Sequence, residues 1–108
     1  MTKVVAALAL LVGFLWDLIV SSLSVARIVI APRVDTRPAI IVLPVHVTRP
    51  WAVALYAWCT SLTPGSTCLH VSDDRRRLYL HLLDARDPGA TIAKFARIYE
   101  RRILELER

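Results

Sequence analysis

Glycine is scarce in this chain, three residues in 108, and no run of them forms a phosphate-cradling loop. Only two cysteines occur, Cys59 and Cys68, without the paired short spacing of a structural metal site. Aromatics make up 7% of the residues and do not interleave with the arginines as stacking platforms. The net charge of +5 therefore points to an anionic membrane surface ahead of nucleic acid. Nucleophile, base and acid are not grouped either. Ser21, Ser22 and Ser24 have no His and acid nearby, while Asp73, Asp74, Asp84 and Asp87 fall in turns, where aspartate is common. No enzyme and no cofactor is expected from such a sequence.

What the chain does have is a long apolar run, Val4 to Ala26, broken only by Asp17 and three serines. As a helix it is roughly 34 Å long, enough to cross a hydrocarbon core of about 30 Å. A cleaved signal peptide is the rival reading, with Lys3 as its basic region. Against it, apolar character continues past Asp17 and resumes as Ile28, Val29 and Ile30. Residues 1–31 are thus expected to form one transmembrane helix. Lys3 stands alone before it, whereas Arg27, Arg33 and Arg37 follow, which places the carboxyl-terminal part in the cytoplasm and the amino terminus outside. In that reducing compartment Cys59 and Cys68 are free thiols.

On a helix, Ala9, Gly13, Asp17, Ser21 and Ser24 fall on one stripe, a small and polar face suited to close packing. Asp17, an ionisable residue within the run, is a functional-site candidate by position. Its two readings are a proton-handling group and a hydrogen-bond acceptor for a neighbouring helix, the serines alongside favouring the second.

After a linker at 32–37, residues 38–108 read as an α+β domain. Ala39 to Val47 is rich in β-branched residues and forms a first strand, with Pro44 favouring an edge position. Trp51 to Leu62 lacks charge, Gly and Pro and follows Pro50, so it reads as a helix. It is apolar nearly all round but too short to span a bilayer. The stripe Trp51, Leu55, Trp58 and Leu62 is accordingly expected to meet the membrane interface or a partner. Thr63-Pro64-Gly65 is a structural turn, followed by a hairpin of two strands around Asp73 to Arg76. Asp87 caps a last helix beginning at Pro88, with Ile92, Phe95, Tyr99, Ile103 and Leu106 as its apolar stripe. The order β-α-β-β-α predicts a small ferredoxin-like sheet, the third strand between the other two and both helices on one face. Cys68, His70 and His81 project to one face of the hairpin with Tyr79 beside them, a weak zinc-ligand candidate, while Leu69, Val71, Leu80 and Leu82 project to the other.

Four stretches together resemble the E subunit of the Mrp-type (Mnh or Pha) multisubunit sodium/proton antiporter. They are Leu15-Trp16-Asp17-Leu18, Ser61-Leu62-Thr63-Pro64-Gly65-Ser66-Thr67, Tyr79-Leu80-His81-Leu82-Leu83-Asp84 and Tyr99-Glu100-Arg101-Arg102-Ile103-Leu104-Glu105. Many members carry further hydrophobic sequence ahead of the segment matching Val4 to Ala31, so this chain looks like a short form. The resemblance implies a cytoplasmic-membrane complex exchanging monovalent cations for protons, with the ion paths in large antiporter-like subunits. It makes this chain an accessory or assembly component whose partners are those subunits and the bilayer. A stand-alone, membrane-tethered ligand- or metal-binding regulator is the alternative.

Overall fold

The computed structural model describes residues 2–33 and 36–108. Val34 and Asp35, within the expected linker, lie outside them. Helix α1 runs Lys3–Ile30 and begins on Thr2, whose hydroxyl accepts from Val5 N at 3.2 Å. Its length is set by an unbroken apolar sequence with no interior proline.

Strand β1 (Ala39–Pro44), β2 (Ser66–Val71) and β3 (Arg77–Leu82) form an antiparallel sheet in the order β1-β3-β2. Pro44 lies on the edge strand, where its missing amide costs no ladder bond. The alternation of β1 and β3 directs Ile41, Leu43, Leu78, Leu80 and Leu82 to one face, all buried. On that same face sit helix α2 (Pro50–Leu62), through Ala52, Val53, Tyr56 and Cys59, and the last helix, through Phe95, Tyr99 and Ile103. Burying each of the larger apolar side chains contributes about 1.5–3 kcal/mol, which makes this layer the source of most of the domain's stability. The opposite face stays open, with Ile40 and Val42 exposed.

One strand departs from simple alternation. The pairing of β2 with β3 shifts between Cys68 and His70, so Cys68 opposes Leu80 while His70 opposes Tyr79. Leu69 is the extra residue of this bulge and is 54% exposed, not in the core as expected. An inserted residue flips every side chain after it to the other face. Cys68 therefore shares the side of Leu80, and His70 and His81 lie on the other.

The last helix is continuous from Pro88 to Glu107 but is not α-helical throughout. Helix α3 (Pro88–Phe95) leads into a π-turn at Ala96–Glu100, followed by α4 (Arg101–Glu107). Asp87 caps it, its side chain accepting from Ala90 N at 3.1 Å. The wider turn places residues five apart on one side, aligning Lys94 with Tyr99. It also buries the adjacent Tyr99 and Glu100, which an α-helix would point some 100° apart. Glu100 uses this position to accept from His46 N at 2.7 Å and to pair with His46 Nδ1 at 2.9 Å. Two turns on, Glu107 accepts from Thr48 N and Arg49 N, at 3.0 and 2.9 Å. Two carboxylates thus hold the chain after β1 against the last helix.

Candidate functional site

The stripe of small and polar residues on α1 packs against the chain's own last helix. Gly13 makes the approach possible, since a Cβ there would stand 3.0 Å from the Ile98 methyl Cγ2. Beside it Phe14 meets the Tyr99 ring, with centroids 6.3 Å apart. Ala6 and Ser21 are buried, Ala9 and Gly13 half-buried, and Ser24 exposed, its hydroxyl returned to the Val20 carbonyl.

At the centre of the contact is Asp17, only 2% exposed. Ser21 Oγ donates to its Oδ1 at 3.1 Å, and Lys94 Nζ lies 3.0 Å from the same oxygen. Tyr99 OH donates to Oδ2 at 2.5 Å, and Thr63 Oγ1 approaches that oxygen at 3.1 Å. Each element supplies its donor for a local reason. Ser21 is one turn along α1, Thr63 ends α2 at the bend before Pro64, and the π-turn brings Lys94 and Tyr99 to the same side. Lys94 also rests over the Phe95 ring at 5.0 Å, which fixes its stem.

An ionised carboxylate offers about four lone-pair sites, and four donors point at this one. Thr63 has a single hydroxyl hydrogen, shared between Asp17 and the Cys59 carbonyl at 2.8 Å. Burial, and then the bond to Asp17, push the Tyr99 phenol well above its ordinary value, so it stays a donor. The charges cancel across Asp17 and Lys94. A cleft of about 170 Å³ opens beside the pair, lined by Ser21, Ser24, Thr63, Ser66, Asp84 and Lys94 among others. This arrangement clasps α1 to the domain.

The Thr63-Pro64-Gly65 turn forms one wall of that cleft. Gly65 has φ 92°, a conformation costly for any residue with a side chain, and Ser66 Oγ donates to the Thr60 carbonyl at 2.5 Å. The outward stripe of α2 is divided: Trp51, Trp58 and Leu62 are exposed, and Leu55 packs on the core. Cys68, His70 and His81 are not brought together, because the bulge separates Cys68 from the two histidines. Among the described residues no group of three or more His, Cys, Asp or Glu is placed to hold a metal ion. Cys59 is buried, and burial raises its thiol to about 11. Sequence reasoning found Asp17 and Thr63 but missed Lys94 and Tyr99. Their five-residue spacing fits no α-helical stripe, and only a test for π-periodicity against Asp17 exposes it.

The fold and this clasp define a small α+β domain bound to one long apolar helix. Residues 1–106 match the profile of the MNHE family, Na+/H+ ion antiporter subunit, and the chain belongs to that family. The E subunit of the Na(+)/H(+) antiporter of Alkalihalophilus pseudofirmus is 31% identical over 98% of this chain and 67% of its own length. Among solved structures, a chain of the archaeal membrane-bound sulfane sulfur reductase, a respiratory membrane complex, is similar at a TM-score of 0.80 and 25% identity. That likeness covers 96% of this chain and 65% of that one. A chain of the Mrp complex from Dietzia sp. DQ12-45-1b shares the fold at a TM-score of 0.64 and 22% identity, over 91% and 92% of the two chains.

Proposed function

We propose that this chain is an accessory and assembly subunit of a multisubunit Na+/H+ antiporter in the cytoplasmic membrane, with no ion path of its own. The state of Asp17 carries this reading. It is the one ionisable residue in the apolar run, and both of its oxygens are engaged by donors from the same chain. A transported cation would have to displace the Lys94 ammonium and three hydroxyl donors from Asp17, which favours a structural role over a relay. Residues 1–31 and 38–108 then act as one body, clasped at Asp17. The strand order, with α2 and the last helix on one sheet face, supports a ferredoxin-like domain. The exposed Trp51, Trp58 and Leu62 are its surface for a neighbouring subunit.

Over the expected single pass with the amino terminus outside, the packing of α1 favours a helix lying on the membrane surface. Its contacts with the domain extend from Leu10 to Ile28, roughly 27 Å of helix, close to the thickness of the bilayer core. A crossing α1 would draw the last helix and the open sheet edges into lipid. The exposed Arg97 and Arg101 alone would cost about 2.5–3.5 kcal/mol each near the midplane. Unpaired strand edges are not tolerated there either. These costs favour meeting the membrane by a surface over meeting it by a span.

The test is extraction of the tagged chain in mild detergent, separation on a native gel and mass spectrometry of what co-migrates. Large multi-helix antiporter-like subunits are expected. A stable species without them would overturn the assignment.

A further inference from the structure

We propose that α1 lies flat in the membrane–water interface, its outward face in lipid, and that a basic cleft at its carboxyl-terminal end seats an anionic phospholipid headgroup. This holds whichever complex the chain joins.

At 100° per residue, the side of α1 opposite Asp17 is formed by Leu8, Leu15, Ile19 and Ala26, flanked by Leu11, Val12 and Leu23. All seven are exposed, and from Val4 to Ala26 this half carries no charge. A strip about 34 Å long and 10 Å wide is roughly 340 Å² of apolar surface, the size of the largest patch on a typical soluble monomer, which is often functional. The other side of the helix is occupied by the domain along its length. What remains is a helix with a lipid-facing side and a protein-facing side, the geometry of an in-plane interfacial helix. Basic residues stand only at its two ends, Lys3 and Arg27.

Charge complementarity selects lipid over a protein partner. At the end of α1 a cleft of about 440 Å³ is lined by Ser24, Arg27, Arg33, Asp84 and Arg86, together with Ile28 and Ala31. Asp84 pairs with Arg86 at 3.2 Å, and among the described residues the lining holds three arginines to one aspartate. The arginines come from three places: the last turn of α1, the segment after it, and the stretch after β3. Ile28 and Ala31 line the cleft and the exposed Val29 and Ile30 lie between them in sequence, which sets apolar surface close to the arginines. That pairing matches a phospholipid, headgroup in the cleft and acyl chains along α1.

The test uses the full chain bound to vesicles of three parts phosphatidylcholine and one part phosphatidylglycerol. With Trp51→Phe and Trp58→Phe, a single tryptophan is kept at position 16, or moved by Trp16→Phe with Leu8→Trp or Leu23→Trp. Lipids brominated at successive acyl carbons then report its depth. All three positions are expected at one shallow depth, about 5–10 Å below the headgroups. A deepest reading at position 16 would show a spanning helix, and no quenching at any position would leave the face to a protein partner. Either result overturns the proposal. For the cleft, Arg27→Gln with Arg33→Gln is expected to weaken binding to these vesicles about thirtyfold, near fivefold per charge, and to leave pure phosphatidylcholine binding unchanged. Equal loss on both lipids, or displacement by millimolar inorganic phosphate, would refute a headgroup seat.

Discussion

Removing the carboxylate at the heart of the clasp should uncouple α1 from the domain. Asp17→Ala deletes the carboxylate acceptor of Tyr99, a charge-assisted bond in a buried site that contributes about 2 kcal/mol, and leaves the phenol the weaker, neutral Thr63 Oγ1 at 3.0 Å. The Ser21 bond adds about 1 kcal/mol. Lys94 is one third exposed and reaches water once its partner is gone, so the ion pair adds no more than about 1 kcal/mol. Thr63 loses little, because the Cys59 carbonyl already accepts from it. The total is a loss of about 4 kcal/mol. Asp17→Asn keeps a carbonyl for Tyr99 but turns an amide donor toward Lys94, and should cost about half as much. Urea unfolding in mild detergent, followed by tryptophan fluorescence, measures both. The order wild type, Asn, Ala is expected. A loss under about 1 kcal/mol for Asp17→Ala would refute the clasp, since a residue so buried and so bonded cannot be replaced that cheaply.

Alkaline pH should act through the tyrosines. The phenols of Tyr56 and Tyr99 are both held above the ordinary value of 10 by burial, so the unfolded chain releases these protons first. Stability is then full below pH 10 and falls as pH rises above it, and Tyr99→Phe should flatten that fall in unfolding measured across the range. Cys59, buried with its thiol near 11, should resist maleimide in the native chain while half-buried Cys68 reacts first, as adduct mapping by mass spectrometry would show. At Gly13, where Ile98 stands 3.0 Å from a would-be Cβ, Gly13→Val should be about 1–3 kcal/mol less stable than Gly13→Ala in the same unfolding assay, because alanine needs the Ile98 methyl to give only slightly while valine's added methyls force the helices apart.

Local signals in the sequence carried a good deal of this structure. The proline before α2, the Thr63-Pro64-Gly65 bend, the Asp87 cap and the alternation of Leu78, Leu80 and Leu82 each act within a few residues. Each led to the element observed. What stayed hidden was nonlocal or broke a period. The Leu69 bulge reverses the faces of β2 without any glycine or proline to mark it. The π-turn puts Lys94 and Tyr99 together, a pairing that α-helical spacing conceals. The polar stripe on α1 was legible as a packing face, but its partner was not. Apolar length suggested a bilayer crossing and no partner within the chain, and it is Lys94, Tyr99 and Thr63 of the same chain that meet the stripe.

The most direct test of the central claim is cation/proton exchange by the assembled antiporter carrying Asp17→Asn in this chain, normalised to the amount of complex formed. An accessory role predicts unchanged exchange per complex, with any deficit appearing as less complex. Normal assembly with exchange abolished would place Asp17 in an ion path and contradict the account.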